Sequence, residues 1–202
     1  MSVLLSLTLY EGRLTSDEGA ARQKILGGPS RRFSGAHLVQ VAHAGNSQSA
    51  REEVAAIRCE FELLLGKRFR DRDGVGRTLG LSDILVVAPY NLQVNALRAG
   101  LPPGARVGTV DKFQGQEAPV CIVSMTSSSA DEIPRGVDFL FSLNRINVAV
   151  SRAQVLSLVF ASPRLLEVPC ANVAEMRLVN SLCALKDYGE ALTGQGQRPR
   201  LS

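Results

Sequence analysis

The chain has 202 residues, 45% of them hydrophobic, enough for one well-buried α/β domain with peripheral segments and short for two. Aromatic residues make up only 5% and tryptophan is absent, which argues against a platform of many stacked aromatics. A formal charge of +4 and a pI near 9.1 fit a polyanionic partner without requiring one.

The four cysteines, Cys59, Cys121, Cys170 and Cys183, are widely spaced, form no CxxC pair and sit mostly in apolar surroundings. With only His37 and His43 to assist them, they read as buried thiols of a reducing compartment and not as a zinc site. Residues 1–14 (MSVLLSLTLYEGRL) lack a basic leader and a small-residue cleavage site, and no apolar run approaches the ~20 residues of a membrane span. The expectation is a cytoplasmic protein.

In chain order, residues 1–35 read as a loop-rich lead-in, with Gly27-Gly28-Pro29 and the pair Arg31-Arg32. Alternation of strands and helices then begins. Residues 38–44 (LVQVAHA) form a predicted strand, closed by Gly45-Asn46-Ser47. Ser49 to Glu52 has the spacing of a capping box, and Val54, Ile57, Phe61, Leu64 and Leu65 follow at helical intervals. Residues 66–80 (GKRFRDRDGVGRTLG) read as a solvated loop.

Residues 84–88 (ILVVA) read as a strand buried on both faces and closed by Pro89. A helix over 91–99 ends at Gly100 and Pro102-Pro103. Further strands are predicted over 106–110, 120–126 and 156–161, with helices over 139–153 and 172–188. The tail 191–202, rich in Gly, Gln, Pro and Arg, reads as disordered. The domain proper is therefore 36–190, an α/β fold with a mostly parallel sheet covered by helices on both faces. In such sheets ligands gather at the carboxyl ends of strands.

Three segments carry the candidate chemistry. PYNLQ (89–93) follows the ILVVA strand. GTVDKFQGQE (108–117) sets a hydroxyl, a carboxylate and a lysine at a strand end, with Gly115 open to close backbone approach and Glu117 able to accept hydrogen bonds. NRINVAVSRA (144–153) puts Arg145 and Arg152 two helical turns apart on one face, which suits bidentate recognition of phosphate oxygens. Taken singly, each segment also reads as an ordinary hydrogen-bonded loop or amphipathic helix.

In this order and at this separation the three segments resemble motifs IV, V and VI of superfamily 1 helicases. The similar subgroup contains the nonsense-mediated-decay RNA helicase and the helicase-nuclease that processes Okazaki fragments. Residues 9–14 (LYEGRL) and 45–56 are similar to stretches that open the second RecA-like domain there, so the resemblance covers about 5–190. Residues 124–152 are especially similar to bacterial members that carry a RecB-like nuclease domain ahead of the helicase. The sequence departs from the pattern S-x-x-N-x-x-E-A at Ala50 and Val54.

The resemblance implies a RecA-like fold and a set of roles. Arg152 would be the arginine finger that reaches the γ-phosphate of ATP across an interdomain cleft. Gly115, Glu117 and Arg145 would lie on the nucleotide side. Thr109, Asp111 and Tyr90 would face single-stranded nucleic acid, DNA ahead of RNA. The sequence contains no GxxxxGK[ST] string, and the expectation is that an N-terminal RecA-like domain supplies the P-loop and holds Mg²⁺. Alternatives are a stand-alone single-strand binding module and an inactive helicase remnant.

Overall fold

The computed structural model describes residues 23–27, 33–113, 115–134, 152–167, 176, 179–180 and 182–187. Two sheets are built from eight strands among them, labelled here in chain order with the helices. The strands are β1 (Lys24–Leu26), β2 (Gly35–Gln40), β3 (Arg68–Arg70), β4 (Gly76–Thr78), β5 (Ile84–Val87), β6 (Arg106–Gly108), β7 (Ala118–Ser124) and β8 (Ala153–Ala161). The helices are α1 (Arg51–Leu64) and α2 (Asn91–Gly100).

The main sheet has the order β2-β8-β7-β5-β6, and every pairing in it is parallel. Its central strands are buried along their whole length, the signature of a sheet covered on both sides. Alternate residues divide between two cores. Ile84, Val86, Val120, Ile122, Leu156, Leu158 and Phe160 meet the apolar stripes of α1 and α2. Leu85, Val87, Cys121, Val123 and Val159 face the other way, against Leu165, Leu182 and Leu185. Residues 182–187 are helical, so helices flank the sheet on both faces. The fold is α/β with a parallel sheet covered on both faces, as the alternation of elements predicts, and it agrees with the RecA-like fold that the resemblance implies.

Several boundaries differ from those read in the sequence. Within the lead-in, Lys24–Leu26 is a strand, because Ile25 is buried and pairs with Phe69. Residues 66–80 are not a loop. β3 and β4 form a hairpin that joins β1 in a small antiparallel sheet, anchored by buried Phe69 and Leu79. Its turn is made by the Asp71 carboxylate, which accepts the Asp73 and Val75 amides at 3.0 and 2.8 Å, and by Gly74 at φ 84°. The first main-sheet strand is Gly35–Gln40 and not 38–44, since its pairing with β8 starts at Gly35 and ends at Gln40.

The predicted strand 106–110 ends at Gly108, the predicted strand 120–126 runs over Ala118–Ser124, and α2 continues to Gly100. Ala153, placed by the sequence in a helix, opens β8 opposite Ala118. The rest of the predicted 139–153 helix lies outside the described residues, apart from Arg152 in a turn.

No capping box starts α1. Ala50 is its N-cap, without a side-chain cap bond, and its amide donates instead to Gln93 Oε1 at 2.8 Å. A residue of α2 thus supplies the cap that local sequence does not.

Candidate functional site

Because all five main strands run the same way, the sheet has a carboxyl edge and an amino edge, and the sequence-derived candidates divide between them. At the carboxyl edge, Thr109 follows β6 and is half-buried, and its carbonyl accepts the Lys112 amide at 3.1 Å. Asp111 is exposed in the short 3₁₀ turn Asp111–Phe113. Tyr90 follows β5 but is only 6% exposed and belongs to the core, so its ring forms no part of an exposed track.

The segment after β6 does not stay at that edge. Phe113 is buried in the core against Leu85 and Val87 of β5, and the chain runs back along that face to enter β7 at its amino end. Turn bonds from Phe113 N to Val110 O and from Gln116 N to Phe113 O, at 3.1 and 3.0 Å, hold the path. Gly115 sits at φ 77° in open space, so its requirement for glycine is conformational. Glu117 is exposed immediately before β7.

Arg152 lies beside it, immediately before β8. The Ala118 amide donates to the Arg152 carbonyl at 3.0 Å, and Ala118 pairs with Ala153, so Glu117 and Arg152 precede the first rung of the β7–β8 ladder. The Arg152 side chain is partly buried, and its Nε is buried with no hydrogen-bond partner. Its charge reaches the interior. Burial pushes the Cys121 thiol up to about 12, and Arg152 opposes that rise. A guanidinium beside an exposed carboxylate can bind an anionic group and orient a polar one. Arg145 lies outside the described residues.

A polar centre to which the motif reading gave no role sits under the carboxyl edge. Glu53 of α1 is fully buried. Its carboxylate accepts from His43 Nε2 at 3.1 Å, from the Ser124 hydroxyl, and from the Thr126 amide at 3.0 and 3.2 Å. His43 Nδ1 meets Ser128 Oγ at 2.7 Å. With the carboxylate taking the Nε2 proton, Nδ1 accepts the Ser128 hydroxyl.

Gln93, also fully buried, donates to Ser124 Oγ at 2.9 Å. Thr126 has φ 72°, costly for a β-branched residue, and the grip of both Glu53 oxygens on its amide holds it there. Around this centre the loops after β2 and β7 are clasped together. Ser127 Oγ donates to Ser47 O at 2.7 Å, the Ser128 amide to Asn46 O at 2.9 Å, and the Gly45 amide to Glu132 at 2.9 Å. The available signal was Glu53 itself, which shares a helical stripe with Ile57, Phe61 and Leu64.

The cysteines do not converge. Cys59 is exposed, Cys121 buried and Cys183 partly buried, while Cys170 lies outside the described residues. Among the described residues, no three His, Cys, Asp or Glu side chains gather in a way that could hold a metal ion. No described helix is long and apolar enough to cross a membrane.

A family model of the AAA domain matches residues 1–164. The chain is similar to the probable RNA helicase armi of Drosophila melanogaster, 38% identical over 96 residues, which are 41% of this chain and 8% of that protein. It is 37% identical to the DNA-binding protein SMUBP-2 of Mesocricetus auratus over 119 residues, 57% of this chain and 10% of that protein. With the human RNA helicase Mov10l1 it shares 35% identity over 99 residues, 46% of this chain and 8% of that protein. The chain therefore spans only a small part of the length of the curated relatives it matches.

Proposed function

The chain belongs to the AAA-domain family and is a superfamily 1 helicase-like domain, and on that premise we propose that it is the C-terminal motor domain of an ATP-dependent helicase. The subgroup is that of the nonsense-mediated-decay helicase and the Okazaki-fragment helicase-nuclease. The observation that carries this reading is the start of the β7–β8 ladder, where Glu117 and Arg152 sit together and Arg152 Nε has no partner. An arginine that is partly exposed at the sheet edge, beside exposed Glu117, fits a nucleotide brought from outside the chain.

Arg152 acts as the arginine finger, extending to the γ-phosphate and stabilising the charge that develops as it departs. Glu117 accepts from the nucleotide, Gly115 leaves the approach open, and Arg145 supports the phosphates. Thr109 and Asp111, at the opposite edge, contact the single strand. Mg²⁺-bound ATP supplies the bond that is broken, and its P-loop belongs to an N-terminal RecA-like partner domain. The track is single-stranded nucleic acid. Relatives named both as a DNA-binding protein and as RNA helicases leave DNA, the first choice here, and RNA to be compared directly.

Mixing the chain with such a partner domain should produce strand-stimulated ATP hydrolysis that the chain lacks by itself. Arg152→Ala should lower that turnover by about 10³–10⁵-fold, as for other arginine fingers, with unchanged circular dichroism. Helicase-like hydrolysis by the chain alone would sink the proposal, as would full activity of the Arg152→Ala mixture.

A further inference from the structure

A second charged surface lies along the outer edge of β6, built partly from residues of the 108–117 segment to which the motif reading gave no role. A cleft of about 570 Å³ is lined by Arg98, Arg106, Lys112, Phe113 and Gln116 and floored by the 102–105 turn and Val107. Its described lining holds three cations and no carboxylate.

Two of these cations are held in place by neutral acceptors. Arg98 donates to Val107 O at 3.1 Å, which also covers the carbonyl that the edge strand would leave bare. Arg106 donates to Ser82 O at 2.7 Å and to the Gln116 side chain, and its guanidinium lies 5.8 Å from the centre of the Phe113 ring. Lys112 stands 6.0 Å from the same ring and has no ion pair among the described residues.

The backbone adds a donor. Ala88 N bonds Gly108 O at 3.1 Å, so Gly108 faces β5, and strand alternation turns both the Val107 carbonyl and its amide outward. The acidic group that most concerns Arg106 is Asp83, but both its oxygens are already taken by Arg77 at 2.6 and 2.7 Å. Arg98 and Arg106 are therefore held in place with no carboxylate hydrogen-bonded to either among the described residues, which lowers the ordering cost of binding an anion.

We propose that this cleft binds a phosphate group, on a site separate from the Glu117–Arg152 edge. The phosphate can come from a nucleic-acid backbone or from a free nucleotide, and the charge pattern is the same for both. The site does not depend on the motor reading, and its test involves no hydrolysis.

Isotope-labelled full-length chain would be titrated in NMR experiments with inorganic phosphate, ATP and an oligothymidylate, beside Lys112→Gln, Arg106→Gln and, as a charge-matched control, Arg58→Gln on the exposed face of α1. Amides of 104–108 and 112–116 should shift. Lys112→Gln and Arg106→Gln should weaken binding several-fold while Arg58→Gln does not. If the oligonucleotide is the tighter ligand, its log affinity against log salt should flatten by about 0.7 in Lys112→Gln, one single-strand phosphate contact. If ATP is tighter, the source is a free nucleotide. Absence of shifts at these amides with all three probes would overturn the site. So would equal affinities for Lys112→Gln, Arg106→Gln and Arg58→Gln.

Discussion

Truncating Glu53 to alanine should damage the fold far more than neutralising it to glutamine. The side chain is fully buried and satisfies three donors, from His43, Ser124 and Thr126. In Glu53→Ala the Ser124 hydroxyl keeps Gln93 and can turn to Thr126 Oγ1 at 3.3 Å. The Thr126 amide and His43 Nε2 have no such substitute. Two orphaned buried donors at about 1–3 kcal/mol each, plus a small cavity, give a loss of about 3–6 kcal/mol. Against a total stability of roughly 5–15 kcal/mol that is a large fraction.

Glu53→Gln keeps the shape and one acceptor oxygen. His43 can then exchange tautomers, accepting from the new amide through Nε2 and donating through Nδ1 to Ser128, so the loss should be about 1–2 kcal/mol. Urea unfolding followed by circular dichroism separates the two. With a slope of about 2–3 kcal/mol per molar, the alanine midpoint should fall by about 1–3 M and the glutamine midpoint by clearly less. Equal midpoints for the two variants, or an alanine variant as stable as the parent, would refute the claim that this carboxylate organises the carboxyl edge.

At Asp83, burial raises the carboxyl pKa, but hydrogen bonds from Arg77 and the Gly80 amide, with the charges of Arg77 and Arg106, outweigh it and hold the group below the usual carboxylate range. A depressed folded pKa contributes stability above the unfolded value near 3.9 and loses it as pH falls through the folded value. Arg77→Gln should therefore lower the urea midpoint at neutral pH, by about 1 kcal/mol for a pair whose arginine is half exposed, and the gap should close toward pH ~3. A gap that is constant with pH would contradict the assignment.

Gly100→Ala places a methyl 2.6 Å from Val54 Cγ1, a stiff helical side chain. Overpacking of about 1–3 kcal/mol should exceed the helix-propensity gain of about 1 kcal/mol and lower the melting temperature. Adding Val54→Ala should recover much of that loss, and additive effects in the double variant would refute the contact. In native protein near pH 8 a soluble maleimide should label exposed Cys59 and spare Cys121, whose thiol is pushed to about 12 by burial, until urea is added. Equal labelling by mass spectrometry would contradict the packing of β7.

What sequence could and could not disclose follows from where each signal resides. The runs ILVVA (84–88) and VCIV (120–123) were legible because burial on both faces leaves no charged or strongly polar residue in them. Helix α1 was legible in extent but its buried stripe lies partly on Glu53, a residue that periodicity assigns to water. Strands β1, β3 and β4 are three residues long and in β3 only Phe69 points inward, too short a pattern to register as alternation. The cap of α1 comes from Gln93, 43 residues away, so no local window contains it. The motif V and VI strings were legible as strings. That the first of them runs from one edge of the sheet to the other was not, because nothing in GTVDKFQGQE marks the point at which the chain turns back across β5.

That return path is the structural core of the proposed function. Thr109 and Glu117 are eight positions apart in sequence and occupy opposite edges of one parallel sheet, joined by a segment whose single deep anchor is Phe113. On the proposed reading, a group that meets the strand and a group that meets the nucleotide could instead have been placed on separate elements, each with its own freedom. Here they share one segment, tied by successive turn bonds and entering directly into the β7–β8 ladder that also positions Arg152. A displacement of Thr109 by a bound strand must then be taken up within the turn, at Phe113, or at the Glu117–Arg152 edge. The first two are held by hydrogen bonds and core packing, while the third opens to solvent, so on the proposed reading the displacement is passed toward Glu117 and Arg152.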